Sequence, residues 1–163
     1  MAKYEAYEEH LIVDGFNIAH AWPHVEMLFA TGIEGVVEQL TKDLRQVHDD
    51  KQIRVSIVLD GKGNDIEVIR PFEDKTFSLL YSPEAYTADA VIEQLASSSK
   101  EPERIVVASR DQFVVDSIEA SGARAISPDA LMEWVERAAK DRRSAFERDR
   151  KKSKKSWGNR LPL

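Results

Sequence analysis

The chain has 163 residues, 42% of them hydrophobic, with no cysteine and a formal net charge of −6. That suits one domain with an ordinary core and a tail, and no apolar run is long enough to cross a bilayer. Glu5, Glu8 and Glu9 make the N-terminus acidic where a secretory leader would be basic and then apolar, so a cytoplasmic protein with no membrane association is expected.

Without cysteine there are neither disulfides nor thiolate metal sites. Any metal must be held by carboxylates, carbonyls or the four histidines, and carboxylates favour hard ions such as Mg2+ or Mn2+. His20, His24 and His48 lack zinc spacing and are read as structural. The charge is unevenly placed. Residues 137–163 hold eleven Lys and Arg against three Asp and Glu, a net of +8, which leaves −14 on residues 1–136. A solvated charged helix is the simplest account of such a run. An acidic body that binds cations beside a basic arm that grips a polyanion is the alternative.

In chain order, Leu11, Ile12 and Val13 run into Asp14-Gly15, the pattern of a buried strand ending in a turn. Ile33, Val36, Val37, Leu40, Leu44 and Val47 follow helical spacing, which predicts a helix over 33–48. Residues 53–59 form a second β-branched run ending at Asp60-Gly61, and 61–64 form a loop. A short strand is expected over 66–69, before Pro71, and another over 76–81. Ala88, Val91, Ile92 and Leu95 share one face of a helix over 87–97, with Thr87 as its N-cap. A strand over 104–108 leads into Ser109-Arg110-Asp111. A helix over 113–120, stopped by Gly122, then precedes a strand over 124–126. Ser127 caps a last helix that Pro128 opens. It turns Leu131, Trp134 and Val135 inward and then becomes basic. The pattern fades from Ser153, and 156–163 is expected to fray or to order on a partner.

Alternating strands and helices imply an α/β fold with a parallel sheet covered on both faces. The near-continuous apolar strands agree, because strands buried on both faces look that way. Ligands of such sheets bind beyond the carboxyl ends of the strands. Asp14 and Asp60 end two strands, Asp111 lies just past a third, and Asp89 sits in the first turn of a helix at the same edge. Each acid alone could be a turn former, or could serve a helix N-terminus. Gathered together, they would repel one another unless a cation neutralised them. A divalent ion there would supply the water that attacks a phosphodiester and would steady the leaving oxygen.

The segments LIVDGFNIAHAWP (11–23), VSIVLDG (55–61), YTADAVIEQL (86–95) and VVASRDQFV (106–114) resemble the YacP-like branch of the NYN family. The resemblance runs from about Leu11 to Trp134. It implies a three-layer PIN-like domain with a central, mainly parallel β-sheet flanked by helices. It also implies an Mg2+- or Mn2+-dependent endoribonuclease that acts on messenger RNA in association with ribosomes. By the same resemblance, Asp14, Asp89 and Asp111 match the family's acidic metal ligands and catalytic residues, and Asp60 matches a more variable acidic position. Asn17 matches a supporting polar residue, with Thr87 and Ser109 beside the acids. The chain departs from the family at Tyr86, where an acid is common, and in its short C-terminal region.

Lys62, in a glycine-flanked loop, and Arg110, between Ser109 and Asp111, are candidates for phosphate contact. The glycines around Lys62 do not complete a phosphate-loop signature. Trp22 is read as core before base-stacking platform. Arg142, Arg143, Lys151 and Lys152, with Arg148, Arg150, Lys154, Lys155 and Trp157 nearby, form a candidate RNA-binding arm, with ribosomal RNA one conceivable target. The expectation is a nuclease domain over 1–136 and a basic helix and tail over 137–163. It would cut RNA internally, as in mRNA decay, and leave 5′-phosphate and 3′-hydroxyl ends. The competing expectation is an RNA- or ribosome-binding module without catalysis.

Overall fold

The computed structural model describes residues 9–160. Six strands form one sheet: β1 (His10–Asp14), β2 (Arg54–Asp60), β3 (Glu67–Ile69), β4 (Phe77–Ser82), β5 (Ile105–Ala108) and β6 (Arg124–Ile126). Their order is β3-β4-β2-β1-β5-β6. Every pair is parallel except β3 with β4. The expected strand at 66–69 is thus present as an antiparallel edge. Its connection to β4 is too short for the crossover that a parallel pairing needs.

Among the described residues six α-helices cover the sheet: α1 (Gly15–Ala21), α2 (Pro23–Glu26), α3 (Ile33–Lys51), α4 (Ala88–Ser97), α5 (Gln112–Ala120) and α6 (Pro128–Arg160). A 3₁₀ turn (Met27–Thr31) joins α2 to α3. Period-two alternation divides the core between the two faces. Leu11, Val13, Val55, Ile57 and Leu59 pack with Ile18 of α1, Leu40 and Leu44 of α3, and Leu131 and Val135 of α6. Ile12, Val58 and Val107 pack with Ile92 of α4 and with Val114 and Ile118 of α5. The layers are therefore helix, sheet, helix, as an α/β fold requires.

Two expectations change. The Asp14-Gly15 turn is instead the start of α1. Seven residues are too few for helical periodicity to stand out, and Pro23 ends the segment by opening α2. Gly15 is needed there, because an added Cβ would sit 2.9 Å from the Val58 carbonyl oxygen on β2. The second change is at the C-terminus. α6 does not end near Ser153 but continues to Arg160 as one helix across position 136. Lys and Arg are good helix formers even where no apolar stripe marks the helix. Residues 161–163, within the segment expected to fray, lie outside the described residues, as do the side chains of Lys154, Lys155 and Trp157.

The caps match expectation. Thr87 Oγ1 accepts from Ala90 N at 3.1 Å, and Ser127 Oγ accepts from Ala130 N at 3.1 Å. Trp22 is buried and donates its Nε1–H to the Pro128 carbonyl at 3.0 Å, so it ties α1 to the start of α6. His24 and His48 bond Asp43 and Thr76, and His20 stacks on Phe29. No helix among the described residues is long and apolar enough to cross a membrane.

Candidate active site

Parallel pairing carries the carboxyl ends of β1, β2 and β5 to one edge of the sheet, and with them Asp14, Asp60 and the 109–111 turn. Asp89 joins them from the first turn of α4. Asp14 is buried. Burial pushes its carboxyl up to about 7; a hydrogen bond from Ser109 opposes the rise, and Asp89, Asp111 and Asp60 add to it. Asp89 is also raised, first by burial and then by Asp111, Asp60 and Glu93, while a hydrogen bond with the Asp14 carboxyl works against the shift. Asp14 and Asp89 are therefore electrostatically coupled at this edge. Without a cation, ionising both is unfavourable, since neighbouring like charges repel.

The other two acids are turned partly toward helix N-termini. Asp60 Oδ1 accepts from Ala88 N at 2.9 Å, which fastens the end of β2 to the start of α4. Asp111 Oδ1 accepts from Phe113 N at 3.0 Å and caps α5. The helix-start role open from sequence for Asp111 is thus real, and Asp60, open from sequence as a turn former, serves a helix start as well. Both roles coexist with the electrostatic coupling, because each carboxylate has two oxygens.

Ser109 is the hub that holds the pieces. Its hydroxyl donates to Asp14 Oδ2 at 3.0 Å and lies 3.4 Å from Asn17 Oδ1. The same oxygen accepts from Asp111 N at 3.1 Å. Asn17 Oδ1 also accepts from Arg110 N at 2.8 Å. One serine and one asparagine thereby lock α1 to the turn after β5.

Among the described residues, no three His, Asp or Glu side chains are grouped closely enough to hold a metal ion between them. The donor set is the buried Asp14 carboxyl with Asp89, Asp111 and Asp60 at electrostatic range of it. That fits Mg2+, which keeps several waters and uses one or two protein carboxylates. It does not fit an all-protein cage.

Lys62 and Arg110 are exposed at this edge. Arg142, Arg143, Lys151 and Lys152 are exposed on α6, away from the acids. Arg142 lines a groove with Glu38 and Lys42 of α3 and with Phe72, and none of the four aspartates borders it. Two aromatics stand uncovered beside the acids: Tyr86 is 65% and Phe113 88% exposed. Sequence reading placed Tyr86 only as a departure from the family and Phe113 only as a helix start. The available signal was an aromatic at a helix N-terminus rather than at core spacing.

The family description "YacP-like NYN domain" matches residues 11–162. Two crystal structures of Rae1 (YacP) from Bacillus subtilis superpose on the chain. One is 27% identical, with a TM-score of 0.71, and spans 92% of this chain and 85% of that one. The other, a W164L mutant, is 26% identical, also with a TM-score of 0.71, and spans 90% and 84%. No curated protein matches. The six-stranded, mostly parallel sheet flanked by helices is PIN-like, as the likeness to Rae1 shows.

Proposed function

Because the chain belongs to the YacP-like NYN domain family, a group of PIN-like ribonucleases that generally use divalent metals, we propose that it is a metal-dependent endoribonuclease. It hydrolyses phosphodiester bonds in RNA, with messenger RNA as substrate and the ribosome as the setting. The observation that carries this reading is the buried Asp14 carboxyl at the sheet edge, coupled electrostatically to Asp89, Asp111 and Asp60. Such an arrangement is unfavourable for the apo fold and becomes favourable with a divalent cation.

Asp14 and Asp89 would hold the ion, with Asp60 and Asp111 beside it. When bound, Mg2+ or Mn2+ supplies a water nucleophile at neutral pH and offsets charge on the leaving oxygen. The chain's own residues do the rest. Ser109 fixes one Asp14 oxygen, and Asn17 fixes the turn that bears Asp111. Arg110 and Lys62, both exposed, would meet the phosphate backbone. The arm over 137–163, including Arg142, Arg143, Lys151 and Lys152, offsets the repulsion between the acidic domain over 1–136 and a polyanion.

The test is a cleavage assay on structured RNA and on translated messenger RNA, with and without Mn2+ and ribosomes. Internal cuts that need metal and vanish in Asp14→Asn are expected. Binding without turnover under every condition would instead identify a catalytically silent RNA- or ribosome-binding module.

A further inference from the structure

The loop after β2 and the loop before α4 enclose a groove of about 650 Å³, within the range of small-molecule sites. Asn64, Asp65 and Ile66 line it from one loop, and Tyr86 from the other; Val91 and Gln94 line it from α4. Both loops are anchored at the acidic edge. Asp60 precedes the first, and Tyr86 is followed directly by the α4 cap Thr87 and then by Asp89. The groove and the acids are therefore served by the same two loops at this edge.

The lining decides what enters. Among the described residues it contains no Lys, Arg or His and has one carboxylate, Asp65, so it offers a phosphate nothing. It does offer an apolar wall at Val91, uncovered apolar surface on Ile66 and Tyr86, which are 52% and 65% exposed, and two amides. A flat, uncharged ring with a hydrogen-bonding edge matches each of these. Aromatic faces stack on any base, and amides present both donor and acceptor to its edge.

We infer that this groove seats the nucleobase next to the cleaved phosphate, with Tyr86 as the stacking face and Asn64 and Gln94 reading the base edge. The inference rests on the ribonuclease reading for its occupant and goes beyond it in assigning a specificity pocket.

The test uses the full chain and a short single-stranded RNA carrying 2-aminopurine at one position at a time. Binding is followed by fluorescence in the Asp14→Asn background, and cleavage kinetics are measured in the wild-type background. Quenching at one position is expected, together with its loss in Tyr86→Ala and its retention in Tyr86→Phe. Tyr86→Ala should raise KM roughly 5- to 150-fold, the measured range for one stacked base, with kcat little changed. Asn64→Ala and Gln94→Ala should alter the preference among the four bases at that position. If wild type cleaves RNA while Tyr86→Ala leaves both KM and the quench untouched, the pocket is refuted and the nuclease stands. If nothing is cleaved but quenching still depends on Tyr86, the pocket stands and the nuclease reading fails. Absence of quenching at every position overturns the pocket.

Discussion

Ser109 Oγ donates to Asp14 Oδ2 at 3.0 Å, across 95 positions of sequence. The same hydroxyl oxygen receives Asp111 N, so a single serine links the acid that ends β1 to the acid that caps α5. Residues that orient metal ligands in this way are worth about 10- to 100-fold in metal affinity or activity. Ser109→Ala should keep the fold, because it removes one small polar group, and should lower metal affinity by about that factor. Mn2+ titration of cleavage, alongside a thermal melt, checks both halves. Unchanged metal dependence would show that Asp14 needs no such positioning.

The raised Asp14 carboxyl makes the metal-free fold sensitive to pH. Its folded value of about 7 lies above the ordinary carboxylate range, so the folded state keeps a proton that the unfolded chain has released. Stability without metal should therefore fall as pH rises from about 4 to about 7 and level off above that. At pH 8, Asp14→Asn should stabilise the metal-free protein, by on the order of a few kcal/mol. Mn2+ should stabilise wild type and leave the variant nearly unmoved. Urea unfolding with EDTA and with Mn2+, at pH 5 and pH 8, measures each arm, and a variant less stable than wild type at pH 8 in EDTA would contradict the burial account.

Gly15 lies where α1 meets β2, and the obstacle to a side chain there includes the Val58 carbonyl oxygen, a backbone atom. Gly15→Ala is expected to destabilise by about 1–3 kcal/mol, the usual penalty for overpacking. It should also weaken catalysis, because Asp14 is the preceding residue. Denaturant midpoints combined with kcat test this, and a neutral substitution would mean α1 can slide away from the sheet.

The basic arm is testable through salt. Replacing Arg142, Arg143, Lys151 and Lys152 together by Gln should weaken RNA binding at low salt. If all four touch phosphates, it should reduce the salt slope by about 3, at roughly 0.7 per phosphate contact for single strands. Cleavage of saturating short RNA should be nearly unaffected, because the arm is separate from the acids. An unchanged slope would leave the arm as a solvated helix end.

Much of the architecture is legible in the residues alone. Buried parallel strands show as apolar runs at Leu11–Val13 and Val55–Leu59, and α4 and α6 announce themselves through Thr87 and Ser127, whose capping chemistry is local. That logic fails for α1, whose seven residues are too short for a period, and for the distal half of α6, whose helicity rests on propensity without an apolar stripe. The direction of β3 follows from a short connection and not from its composition.

Local chemistry determined which residues are acidic, which end strands and which begin helices, since those properties belong to neighbours along the chain. Only the tertiary structure decided that Asp14 and Asp89 are coupled at one edge, that Asp60 and Asp111 each give an oxygen to a helix N-terminus, and that Tyr86 stays uncovered. Those outcomes depend on how the crossovers lay distant segments against one another, and on the burial that turns an ordinary carboxylate into one reluctant to ionise.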